Sequence, residues 1–159
     1  MHITIISVGR IKEKFLQDGI LEYEKRLRPY AKVRIVEIPE EKRPASATPP
    51  VERAAMAKEG ERILSAIPDG SYVVALDVNG EDWSSTALAE ALSRWELTGT
   101  NQIAFIIGGD LGLAPAVISR SNLRLSLSRM TFTHPMARLL LIEQIYRAFR
   151  ILRGEPYHK

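Results

Sequence analysis

The sequence predicts an α/β fold in which a mainly parallel sheet carries helices on both faces. Apolar runs such as Ile103-Ala104-Phe105-Ile106-Ile107 and Tyr72-Val73-Val74-Ala75-Leu76 do not alternate with polar residues, so both faces of those strands are covered. Strand-like segments also alternate along the chain with segments whose apolar residues recur at helical spacing. Finally, the Ile103 to Ile107 run opens into Gly108-Gly109-Asp110-Leu111-Gly112. Ligands of parallel sheets bind at the carboxyl ends of strands, and glycines there let backbone groups touch a ligand directly.

The elements follow in order. Ile3 to Val8 reads as a strand ended by Gly9, and Lys12 to Leu27 as a helix carrying Phe15, Leu16, Ile20, Tyr23 and Leu27. Val33, Ile35 and Ile38 mark a second strand, near a sheet edge, which Pro39 breaks. Pro44 to Pro50 is a surface loop, Val51 to Ile67 a helix, and Pro68-Asp69-Gly70 its stop. Tyr72 to Asp77 is a strand of the buried kind. Ser84 or Ser85 caps the next helix, with Leu88, Leu92, Trp95 and Leu97, and Gly99 ends it. After the glycine turn, Pro115 opens a short helix, and Leu123, Leu125 and Leu127 alternate with Arg124, Ser126 and Ser128 as the last strand. Thr133 or His134 then caps a final helix from Pro135 to Leu152. Its apolar residues, among them Leu139, Leu140, Leu141, Ile142, Ile145, Tyr146 and Phe149, spread over more than one side. A surface helix needs one such stripe, so the second predicts a partner chain in a symmetric oligomer.

Composition narrows the function classes. With 159 residues and 45% hydrophobic content, one domain spanning residues 1–159 is expected. Cysteine is absent and the three histidines, His2, His134 and His158, are scattered, so no disulfide and no metal site is expected. The apolar start from Ile3 to Val8 follows no basic segment and is too short to span a membrane, which makes a cytoplasmic protein the expectation. Net charge is divided unevenly: +6 from Arg120 onward against −3 for the rest. Such a basic end suggests a polyanion partner, most often nucleic acid. The glycines arrive late in the chain, whereas a dinucleotide fold has Gly-x-Gly-x-x-Gly after its first strand; Val8-Gly9-Arg10-Ile11 does not supply it. No Lys with Ser or Thr follows the turn, which argues against a P-loop.

Three strand ends and the tail carry a further signal. Leu76-Asp77, Ile107-Gly108-Gly109 and Leu127-Ser128-Arg129-Met130-Thr131-Phe132 recur in order, followed by Glu143-Gln144-Ile145-Tyr146-Arg147-Ala148 and the ending Pro156-Tyr157-His158-Lys159. On these residues, and over essentially its whole length, the chain resembles the ribosomal RNA large subunit methyltransferase H family, a minimal branch of the SPOUT class. The resemblance implies an α/β homodimer with a trefoil knot in its C-terminal part. It implies transfer of a methyl group from S-adenosyl-L-methionine to N3 of a pseudouridine in 23S rRNA of the assembled ribosome. Cofactor contacts are implied for Leu76, Gly108 and the segment Leu127, Ser128, Arg129, Met130, Thr131, Phe132, with Gly109 beside them in the turn. Relatives more often place the acid of the turn one residue after Asp110, and tend to have proline where this chain has Thr133.

The implied reaction needs help at the acceptor. The imide N3 carries a proton, so a general base or a site that stabilises the deprotonated imide raises the rate. Through the resemblance, His158 is the first candidate and Tyr157 the alternative, with Lys159 and Arg138 as partners for phosphate or developing negative charge. Arg147, Arg150 and Arg153 are spaced to line one helix face toward phosphates. His134 reads as a helix-start residue and His2 as a surface or strand residue. The alternative is a non-catalytic ribosome- or RNA-binding α/β protein.

Overall fold

A computed structural model describes all 159 residues, Met1–Lys159. Five strands and five helices alternate: β1 (His2–Val8), α1 (Lys14–Leu27), β2 (Lys32–Ile38), α2 (Pro49–Ala66), β3 (Tyr72–Asp82), α3 (Ser85–Leu97), β4 (Gln102–Ile107), α4 (Pro115–Arg120), β5 (Leu123–Ser126) and α5 (His134–Leu152). The strands form one sheet in the order β2-β1-β4-β3-β5, and every pairing is parallel. The expected fold class is therefore present, with β2 at an edge as its Pro39 stop requires. Ser84, of the two serines considered, caps α3 through its Oγ, which accepts the Ala87 N–H at 3.0 Å.

The period of two along each strand divides the core. Ile3 and Ile5 of β1 and Ile103, Phe105 and Ile107 of β4 pack with α1, α3 and α5. Their neighbours Ile6 and Val8, with Ala104 and Ile106, face α2 and α4 on the other side. Both faces are dry, which is why the β4 sequence contains no polar residue after Gln102.

Most of the apolar surface of α5 is covered inside the chain, with Leu139 and Leu140 left half-buried. Its apolar residues occupy several sides because α5 lies between α1 and α3 over β1 and β4. Leu141, Ile142, Ile145 and Phe149 are covered within the chain itself, so they do not call for a partner. The exposed large apolar residues are elsewhere: Phe15 and Leu21 on α1, Val51 on α2, Val78 on β3, Leu97 at the end of α3, and Met130 and Phe132 before α5.

Strand β3 outruns its expected end at Asp77. A bulge lies between Leu76 and Glu81, both of which stand opposite Leu125, after which pairing with β5 resumes. Arg124 fastens the excursion, donating to Asp77 Oδ2 through Nη2 at 2.6 Å and Nε at 3.0 Å. Gly80 closes it: a Cβ there would lie 2.6 Å from the carbonyl carbon of Arg124, so no side chain fits.

Candidate functional site

The strand order brings three chain segments to one end of the sheet. β4 and β5 both flank β3, so the ends at Leu76, Gly108 and Leu127 become neighbours although 51 residues separate the first from the last. Between them opens a cleft of about 890 Å³. Every candidate cofactor residue except Arg129 lines it: Leu76, Gly108, Gly109, Leu127, Ser128, Met130, Thr131 and Phe132. The Arg129 side chain is exposed, outside this lining.

The glycine turn is a closed backbone loop. Gly112 donates its N–H to the Gly109 carbonyl at 3.0 Å and has φ +84°. A Cβ on Gly108 would come within 2.9 Å of the Gly112 carbonyl carbon, so the strand end must be bare. The opposite wall has its own local bonds: Ser126 Oγ donates to the Ser128 carbonyl at 2.8 Å, and the Met130 N–H donates to Ser128 Oγ at 3.0 Å.

Several cleft residues lay outside the sequence reading. Glu13 and Leu16 from the start of α1, Glu40 after β2, and Leu113 and Ile118 around the start of α4 complete the walls. Their only sequence signal is that each follows a strand of the sheet, where the carboxyl ends converge. His134 does begin a helix, as read, but it also lines the cleft together with Pro135 and Ala137. Its ring packs on Gly9, whose φ of +93° and missing Cβ make room. Burial, and then the charge of Arg138, hold its imidazole below the usual histidine range. Thr133 occupies the N-cap position with Pro135 in the first turn, so α5 starts in register without a proline at 133.

The cleft is acidic although the chain is basic. Glu13, Glu40, Asp77 and Asp110 line it, and no Lys or Arg does. Arg43 approaches from behind, donating to Asp110 Oδ2 at 2.8 Å. Burial would raise the Asp110 carboxyl, but the backbone N–H, Glu40 and Arg43 together hold it below the usual carboxylate range. Glu40 moves up, first through its hydrogen bond to Asp110 and then through burial and like charge. Apolar walls with backbone edges suit a flat ring system, and the carboxylates suit a ligand bearing positive charge. A row of phosphates would find no cation here.

The tail residues are grouped, but elsewhere. Tyr157 folds back along α5, its hydroxyl donating to Glu143 Oε1 at 2.9 Å and lying 3.2 Å from the Tyr23 hydroxyl. Burial, then Tyr23 and Glu143, push this phenol far above the ordinary tyrosine range, so it stays protonated. The Arg147 guanidinium lies over the Tyr157 ring and reaches His158 Nδ1 at 3.2 Å. A guanidinium only donates, so Nδ1 accepts and Nε2 carries the ring proton in the neutral form. His158 and Lys159 are exposed. From Arg147 back to cleft-lining Ala137 is ten residues of helix, about 15 Å along the axis. Within one chain the tail and the cleft are separate.

Arg138 departs from its expected place. It is 3% exposed and donates to Glu37 Oε2 at 2.8 Å and to the Gly9 carbonyl at 3.1 Å, which commits it to the ends of β1 and β2. The arginine face is likewise engaged. Arg147 is paired with Glu143, Arg150 with Glu155 and Tyr30, and Arg153 lies over the Tyr30 ring.

Comparison with known proteins agrees with this geometry. A family model described as "Predicted SPOUT methyltransferase" matches residues 1–158. Over the full length of both chains, the protein is 62% identical to one of Methanoregula boonei named "Putative ribosomal RNA large subunit methyltransferase H". It is 53% identical to the ribosomal RNA large subunit methyltransferase H of Symbiobacterium thermophilum and 49% identical to that of Carboxydothermus hydrogenoformans, again with both chains fully covered. Among solved structures, a probable methylase family protein from Haemophilus influenzae Rd KW20 superposes with a TM-score of 0.54 at 15% identity. That alignment covers 99% of this chain and 70% of the other, and it shows a shared fold.

Proposed function

The chain belongs to the SPOUT methyltransferase family, and from that premise we propose that it methylates N3 of a pseudouridine in 23S rRNA of the assembled ribosome, using S-adenosyl-L-methionine, as a cytoplasmic homodimer. The observation that carries this reading is the cleft itself: an apolar, glycine-walled space lined by four carboxylates, two of them paired to arginines outside the lining, and by no Lys or Arg. S-adenosyl-L-methionine fits that chemistry, since it combines an adenine with a net positive charge. When bound it supplies an electrophilic methyl group on sulfur. We assign Leu76, Leu127, Met130 and Phe132 to the apolar walls around the base, the Gly108 and Gly109 backbone to its polar edge, and Thr131 and Ser128 to the rim. The RNA reading draws on the names of the relatives and on the basic C-terminal quarter. The exposed Arg129 beside the cleft and Lys159 in the tail are assigned to phosphates.

The tail must then come from a second copy. One chain keeps Tyr157 and His158 well away from its own cleft, while the exposed Met130 and Phe132 leave an apolar edge on the cleft that a partner would cover. In this reading His158 offers an Nε2–H donor to the negative charge that develops on the imide, and Tyr157 orients the tail rather than acting as base. We also assign the family's trefoil knot to the C-terminal part of the chain.

The test is incubation with labelled S-adenosyl-L-methionine and ribosomes lacking the modification, followed by mapping of the labelled nucleotide. Label at N3 of a 23S pseudouridine is the expected result. The non-catalytic RNA-binding alternative binds no cofactor, so it predicts no heat in calorimetry with S-adenosyl-L-methionine and no label on RNA.

A further inference from the structure

The segment between β2 and α2 is tied down at several points. The Glu41 N–H donates to Glu59 Oε2 at 2.9 Å, Arg62 donates to Glu41 Oε2 at 2.7 Å and to the Pro39 carbonyl at 3.1 Å, and Arg43 donates to Asp110. Glu59 is the unusual member. It sits on α2, only 2% exposed, and its second oxygen, Oε1, has no hydrogen-bond partner. Carboxylates are almost never buried this completely without full pairing. Oε1 lies under the glycine turn, 3.7 Å from where a Cβ of Gly109 would stand. The next residue, Gly60, lets α2 approach closely: a Cβ there would be 2.8 Å from Ala114 Cβ, just past the turn. Glu59 thus touches a segment and a turn whose other residues, Glu40, Gly109 and Asp110, line the cleft.

We infer that Glu59 is a positioning residue for the cofactor: its carboxyl group fastens the Pro39 to Arg43 segment against the underside of the Gly108 to Gly112 turn and so sets where Glu40, Gly109 and Asp110 stand. The inference rests on reading the cleft as the cofactor site. Burial pushes the Glu59 carboxyl up, against the Glu41 N–H and the charges of Arg43 and Arg62 and with that of Asp110. A glutamine therefore imitates the neutral acid and keeps an acceptor for the Glu41 N–H. An alanine leaves that half-buried N–H without its partner, a loss that corresponds to about tenfold in an equilibrium constant.

Cofactor binding by Glu59→Gln and Glu59→Ala, measured by calorimetry with S-adenosyl-L-methionine beside the native chain, tests this. Glu59→Ala is expected to bind about tenfold more weakly, with its KM for cofactor raised to match and kcat at saturation nearly retained; Glu59→Gln is expected to stay close to native. In the unliganded chain, amide exchange at Glu41 and Gly109 to Gly112 should speed up in the alanine variant alone. Native affinity in Glu59→Ala overturns the inference. So does a lowered kcat at unchanged KM, which marks only a lost folded fraction, and so does a glutamine variant as weak as alanine. If the native chain takes up no cofactor, the reading of the cleft fails separately. The exchange rates then decide whether Glu59 fastens the turn, and unchanged rates overturn it.

Discussion

Gly9 does more than end a strand. With φ at +93° and a Cβ position only 2.7 Å from His134 Cε1, it seats the first residue of α5 on the end of β1, and its carbonyl accepts from Arg138 one helical turn on. Gly9→Ala should therefore lose about 1–3 kcal/mol of stability through backbone strain, and should also push His134 out of the cleft wall. Urea titration checks the first effect; an unchanged midpoint would refute it. The sequence showed a glycine stop at one place and a helix start at another. It could not show that they touch, because nothing local in either segment encodes a contact across 125 residues. Arg138 was misplaced for the same reason: its partner, Glu37, lies on β2.

Elements were legible where hydrophobic period and stop signals agreed, as in β4 or in α3 with its Ser84 cap. The extension of β3 was not. The expected strand stops at Asp77, and only pairing with β5 draws Glu81 and Asp82 back into the sheet. Burial alone would raise the Asp77 carboxyl, but the Asn79 N–H at 2.9 Å and the Arg124 bonds outweigh it and hold it below the usual carboxylate range. A group lowered in the folded state contributes stability above its unfolded pKa and loses it as pH falls through the lowered value. Protection of the Asn79 amide should consequently persist into mild acid and disappear only below the ordinary carboxylate range. Arg124→Met should move that loss to higher pH, measurable by amide exchange along a pH series. An unmoved profile would mean that Arg124 does not hold the bulge.

At the scale of the molecule, the fold class and much of the cleft wall could be read from apolar runs, glycines and family resemblance. The separation of tail and cleft could not, since it depends on the path Tyr157 takes back along α5. That separation has a measurable consequence if each tail serves the partner's cleft. A chain lacking Tyr157 to Lys159 and a chain disabled at the cleft by Gly108→Val should each be inactive. Mixed under conditions that allow subunit exchange, they should regain activity up to about a quarter of native, because half of a random mixture is heterodimer with one intact site. No recovery, despite proven heterodimers, would place tail and cleft in service of the same chain.

The central position of β4 also governs how the chain is made. His2 pairs with Gln102, and the same strand β1 must wait for that partner with one edge unpaired. At synthesis speeds of about 5–20 residues per second, the wait lasts roughly 5–20 s. During that interval the emerging chain exposes Ile3, Ile5 and Ile6 along an open strand. Contacts this distant in sequence also slow the final closure of the sheet. The strand order that gathers three segments into one cleft thus leaves the nascent chain prone to association, and dependent on whatever holds it apart until residue 107 has emerged.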